Sequence, residues 1–221
     1  MIGHNKYVMS TIRFKEGKMD DPLKFASVTE YNILICTVGI LILSECVIMF
    51  MTSRGKHSTR KQSDRGTVWL VMIGWWCSAM AGAFFRSQSV PEAIRGWLLP
   101  HLSYYIGVPL IIVGVIIRCT AVITLKKAFT LSVQTTNEQN LIKTGLYYVI
   151  RNPAYTGSII SLLGVAFAYC HILGVIAVII ICFVCYGIRI NIEEKALKAQ
   201  FKEEFEQYCN QTKYRLIPRI Y

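Results

Sequence analysis

Five apolar runs divide this chain, at about 31–51, 67–85, 102–125, 153–169 and 173–190, and a fold must keep each of them out of water. A helix needs roughly 20 apolar residues to cross a bilayer, and in hydrocarbon its backbone polar groups must be satisfied internally. With 53% hydrophobic residues among 221, the chain is too apolar for a water-soluble domain. The expectation is an all-α, polytopic membrane protein with about five transmembrane helices, forming one domain over residues 30–221. The last two runs are short, about 25 Å each at ~1.5 Å per residue. Only Cys170-His171-Ile172 separates them, so they read as a tight helical hairpin, with Gly157, Ser161 and Gly164 as a small-residue packing face.

The net charge of +11 lies in the connections between these runs. Anionic headgroups and topology explain it without a nucleic-acid partner. Five Lys or Arg fall in residues 53–66, four in 126–154 and seven in 189–221, against two in 86–101 and none at the hairpin tip. With five spans the three basic segments share one side, which the positive-inside rule makes cytoplasmic. Residues 1–29 carry five more and run against that rule. They read as a surface arm, and they lack the apolar core and cleavage site of a signal peptide.

Charges inside the spans are costly and face other helices, water or a ligand. Glu45 interrupts the first run, and Arg118 lies about two turns from the end of the third, close enough to snorkel outward or to reach a ligand. Tyr104 and Tyr105 read as an interfacial belt. Six of the eight cysteines lie within apolar runs and the four histidines are scattered, so no metal site is expected.

The connector Q-N-L-I-K-T-G-L-Y-Y-V-I-R-N-P-A-Y-T-G, residues 139–157, delivers into the fourth run. Asn152-Pro153 is a helix start, with asparagine as N-cap and proline in the first turn. Free N–H groups, the positive dipole end and the adjacent Arg151 suit an anionic group of a ligand. A capped helix with an interfacial arginine is the plainer alternative. Leu197, Phe201, Phe205 and Tyr208 share one helical face, which predicts an amphipathic cytoplasmic cap helix. Arg189 and Glu193, at i and i+4, share another; an arginine fork holds a carboxylate, and a glutamate accepts from hydroxyls.

The ordered series F-T-L-S-V-Q, Q-N-L-I-K-T-G-L-Y, R-N-P-A-Y-T-G, R-I-N-I-E-E-K-A-L, F-K-E-E-F-E-Q-Y and Y-R-L-I-P resembles the isoprenylcysteine carboxyl methyltransferase family, over about residues 114–221. The resemblance implies methyl transfer from S-adenosylmethionine to the carboxylate of a lipophilic, prenylated acceptor in the membrane, with residues 126–221 as the cofactor-binding region. It implies cofactor contacts at Gln134, Gln139, Asn140, Leu141, Ile142, Gly145, Tyr147, Arg151, Asn152, Pro153, Ala154, Tyr155 and Glu193. It places Arg189 on the substrate, and Arg189, Glu193 and Asn152 at the chemistry. The family usually has histidine where this chain has Gln139 and Asn152. A carboxylate nucleophile needs no base, so that chemistry survives the change, whereas methylating an ammonium would need one. A phospholipid or other lipid methyltransferase, a sterol-type NADPH-dependent reductase and a non-catalytic membrane protein remain as alternatives.

Overall fold

The computed structural model describes residues 25–53, 65–135 and 141–218. Seven helices account for most of them: α1 Val28–Ser53, α2 Arg65–Arg86, α3 Glu92–Arg95, α4 Leu102–Thr135, α5 Leu146–Val149, α6 Pro153–Ala168 and α7 Ile172–Gln211. Among the described residues, α1, α2, α4 and α7 are long and apolar enough to cross a membrane, and α6, with 16 residues, is shorter. α6 is the central helix, with Gly157, Ser158, Ser161, Leu162, Val165 and Ala166 buried against its neighbours, and the longer helices around it present their apolar outer faces to lipid.

The small-residue face of α6 meets α4. A Cβ on Gly157 would stand 2.6 Å from the Arg118 backbone nitrogen, and one on Gly164 would stand 2.6 Å from that of Ile111. The Ser161 hydroxyl donates to the Ile111 carbonyl at 3.3 Å. The backbones therefore approach as closely as absent side chains permit, the usual basis of helix association in lipid. The turn between α6 and α7 is as short as expected, but these helices diverge. α6 packs chiefly on α4 and α7 chiefly on α2, where Gly174 and Gly82 lie face to face. The hairpin tip is fastened to the connection before α4: the Leu99 N–H donates to the Cys170 carbonyl at 2.9 Å and the Ile172 N–H to the Trp97 carbonyl at 3.2 Å.

Several expectations need correction. The third span is Leu102–Leu125 as expected, but its helix does not end there, and α4 continues to Thr135. Nor does a separate cap helix begin after Ile190. α7 runs on unbroken to Lys202, where φ 46° and ψ −117° break it, and continues to Gln211. Phe205 and Tyr208 of the expected apolar face are buried and Leu197 and Phe201 half-buried. Of the tyrosine pair at the start of α4, Tyr105 is exposed, whereas Tyr104 is buried with its hydroxyl donating to the Glu30 carbonyl at 2.8 Å. Arg118 turns inward and pairs with Glu45. The arm assigned to residues 1–29 lies almost wholly outside the described residues.

Candidate active site

Gly145 adopts φ 63° and ψ −131°, a conformation that only glycine reaches without strain. It turns the connector into the single turn of α5 and so buries Tyr147. The chain then extends through Ile150 to Asn152, where α6 begins with Pro153 at its first position. Proline fits there because its missing N–H would have no intrahelical partner. Asn152 occupies the N-cap position, yet its side chain makes no capping bond. Instead its Nδ2 donates to the Arg215 carbonyl at 3.2 Å.

That contact belongs to a longer arrangement, in which the C-terminal tail lies along the connector as a strap. The backbone N–H groups of Arg151 and Asn152 donate to the Tyr214 and Arg215 carbonyls at 2.9 and 3.1 Å. The Thr156 hydroxyl donates to the Leu216 carbonyl at 2.7 Å, and the Tyr208 hydroxyl to the Tyr147 carbonyl at 2.7 Å. The Arg151 guanidinium donates to Glu194 Oε1 at 3.0 Å and to the Thr212 and Lys213 carbonyls at 2.9 and 3.1 Å. Glu194 closes the network through Arg215 at 2.8 Å. Arg151 and the Asn152 N–H at the cap, expected to face a ligand's anionic group, therefore hold the tail in this structure.

A second group forms deeper, where α2, α6 and α7 meet. Arg189 is only 6% exposed, and it is held from three helices. Its NH2 reaches Glu193 Oε1 at 2.6 Å on its own helix, its Nε reaches the Tyr155 hydroxyl at 3.3 Å on α6, and its NH1 reaches Thr67 Oγ1 at 2.6 Å on α2. The Tyr155 hydroxyl also donates to Glu193 Oε2 at 2.9 Å, and its ring packs 5.2 Å from that of Tyr186. Tyr147 borders the same carboxylate. Burial first, and then the negative charge of Glu193, push the Tyr147 phenol up to about 12, so it remains a neutral hydroxyl and an intact aromatic face across ordinary pH.

Close by, Arg118 on α4 pairs with Glu45 on α1, with NH2 to Oε2 at 2.7 Å, and donates through NH1 to the Ala154 carbonyl at 3.2 Å in the first turn of α6. Of the residues singled out in the sequence, Tyr147, Tyr155, Arg189 and Glu193 are thus brought together. Arg151 and Asn152 sit behind them on the connector, bonded to the strap. Leu141 and Ile142 are half-buried in the connector. Gln134 lies on the last turns of α4, and Gln139 and Asn140 fall outside the described residues. Sequence reasoning missed Thr67, which carries no local mark, and Tyr186. It noticed Glu45 and Arg118 without pairing them, although two lone, opposite charges in two apolar runs are a legible signal. His101 and His171 lie at the other end of the bundle, on Glu30 and the Ile94 carbonyl. Among the described residues no group of three His, Cys, Asp or Glu is placed to hold a metal.

The phospholipid methyltransferase family model matches residues 102–204. A probable protein-S-isoprenylcysteine O-methyltransferase of Oryza sativa subsp. indica is 29% identical over 137 residues, covering 59% of this chain and 70% of that protein. Protein-S-isoprenylcysteine O-methyltransferase B of Arabidopsis thaliana is 31% identical over 105 residues, 47% of this chain and 53% of its own length. The Saccharomyces cerevisiae protein-S-isoprenylcysteine O-methyltransferase is 30% identical over 115 residues, 51% of this chain and 48% of its own. The fold is similar to that of a eukaryotic intramembrane Ras methyltransferase, an isoprenylcysteine carboxyl methyltransferase, with a TM-score of 0.59 and 21% identity over 91% of this chain and 69% of that one. These matches extend over the segment that builds the connector, α6 and the Arg189–Glu193 face, and they make the chain similar in sequence to the isoprenylcysteine O-methyltransferases and similar in fold to a multi-pass membrane methyltransferase.

Proposed function

We propose that this methyltransferase takes its methyl group from S-adenosylmethionine and places it on the carboxylate of a prenylated cysteine or a similar lipophilic acid, at a site facing the cytoplasm. The observation that carries this reading is the buried Arg189 fork, held from three helices beside Glu193 and two tyrosines. A guanidinium at that depth is costly unless it serves a charge, and its planar donors match a carboxylate.

The residues present fit the cofactor. Glu193 accepts from Tyr155 and Arg189, and an ionised carboxylate offers about four acceptor positions, the chemistry that ribose hydroxyls require. Tyr147 and Tyr155 supply aromatic faces that favour a cation. S-adenosylmethionine supplies an electrophilic methyl on a sulfonium. Arg189 then orients the acceptor carboxylate, Tyr155 holds Glu193 in register, and the packed helices keep water from the nucleophile. No base is required, because the acceptor carboxylate is already ionised near neutral pH. Methylation of a lipid amine would instead need a base to take the ammonium proton. Residues 126–221 carry the cofactor side, with Asn152 and Arg151 shaping it through the strap.

Two experiments test this reading. Glu193→Gln should weaken binding of S-adenosylhomocysteine, titrated by calorimetry, more than Glu194→Gln does, because Glu193 faces the tyrosines and Glu194 faces the tail. Equal losses, or a larger loss at Glu194, would assign the cofactor to the strap instead. For orientation, Ser63→Cys and Gln211→Cys should label from the same, cytoplasmic side of sealed vesicles; labelling from opposite sides rules the five-span arrangement out.

A further inference from the structure

We infer that Thr67 is a positioning residue for Arg189, and that the first turn of α2 thereby forms part of the acceptor side of the active site. The inference rests on the reading of Arg189 as the acceptor-binding arginine. Its own basis is geometric. Arg189 NH1 donates to Thr67 Oγ1 at 2.6 Å, as short as the bond from NH2 to Glu193. A guanidinium has five donors in one plane, and among the described residues Thr67, Tyr155 and Glu193, on three helices, fix the orientation of that plane.

The three anchors are not equivalent. Glu193 lies four residues along the same helix, and an i, i+4 arginine and carboxylate tend to close on each other with two parallel hydrogen bonds. Closed in that way, the fork would spend both terminal nitrogens on Glu193. Thr67 draws NH1 away from Glu193 and keeps the two terminal nitrogens on different partners. A neutral hydroxyl suits this role, because it fixes direction without adding another negative charge beside the guanidinium. α2 is also a rigid support. It packs along α7 from the Gly82–Gly174 approach at one end to Thr67–Arg189 at the other, with Gly74 close against Cys185 between them.

The test uses the full-length protein in lipid, with an N-blocked S-prenylcysteine acid as acceptor. Thr67→Val keeps the shape and removes the oxygen, so the acceptor KM should rise about tenfold while kcat stays within about threefold, the pattern of lost ground-state binding. Affinity for S-adenosylhomocysteine and the thermal midpoint should stay near wild type, and Thr67→Ser should restore the acceptor KM. Thr67→Ala, which removes the oxygen without presenting a branched apolar group, should repeat the split. Wild-type KM in both oxygen-lacking variants overturns the inference, as does a defect that serine leaves uncorrected. Arg189→Lys measured alongside keeps the two failures apart: if lysine at 189 is harmless, the reading of Arg189 itself fails, whereas a damaging lysine with a harmless valine at 67 sinks only the role of Thr67.

Discussion

Glu45→Ala should lower the stability of the folded bundle by about 3–5 kcal/mol, the cost of leaving a buried partner charge uncompensated. Glu45 and Arg118 are the one pair of opposite charges joining α1 to α4 among the described ion pairs, and both side chains are largely shielded, at 13% and 16% exposure. Arg118 also holds the Ala154 carbonyl, so the loss reaches the first turn of α6. Without Glu45 the arginine either remains charged in an apolar bundle or drags its helix toward the interface, and each is expensive. Thermal unfolding in detergent measures the effect. The double variant Glu45→Leu with Arg118→Met should recover much of the loss, because replacing both members of a buried pair with apolar groups is often neutral. An alanine variant as stable as wild type would mean that the pair is solvated in the membrane and contributes nothing.

The second large effect is expected at Arg189. Arg189→Lys keeps the charge and removes the fork. A hydrogen bond to a charged group contributes roughly 1.5–3 kcal/mol, so catalytic efficiency with a prenylcysteine acid should fall about ten- to a hundredfold. A lysine amine can satisfy Glu193, but its single nitrogen cannot also span Tyr155 and Thr67 as the guanidinium does. Affinity for S-adenosylhomocysteine should stay within a few-fold. An arginine that merely anchored a helix end at the headgroups would be replaceable, since lysine snorkels equally well. Its burial at 6% exposure and its three inward contacts argue against that role. Labelled methyl transfer by purified protein in lipid decides it, and full activity in the lysine variant would remove Arg189 from the site.

Most of the helices were legible because hydrocarbon imposes a length and a composition on anything that crosses it. The start of α6 was legible because proline tolerates few backbone settings, and Arg189 could be joined to Glu193 because helical periodicity needs no knowledge of tertiary structure. Helix ends were less legible. Lys126-Lys127 ends the apolar run of the third span, but lysine is a good helix former, so α4 continues past the apolar stretch to Thr135. α7 likewise runs on through Glu193-Glu194-Lys195 to Lys202, since nothing between Ile190 and that point breaks a helix. The small residues of α6 announced close packing without naming the partner, and α4 turned out to carry the matching glycines. The strap was illegible for a plainer reason. Its bonds end mainly on backbone carbonyls of residues 212–216, and a carbonyl oxygen looks the same in every residue.

The strap has a consequence for the order in which the site can be assembled. Synthesis runs from the N-terminus, and α1 to α6 can enter the bilayer before the segment after α7 has been made. The N–H groups of Arg151 and Asn152, however, find their acceptors in Tyr214 and Arg215, far later in the chain. Helix insertion therefore precedes completion of the connector, which is finished only when residues 212–216 dock along it.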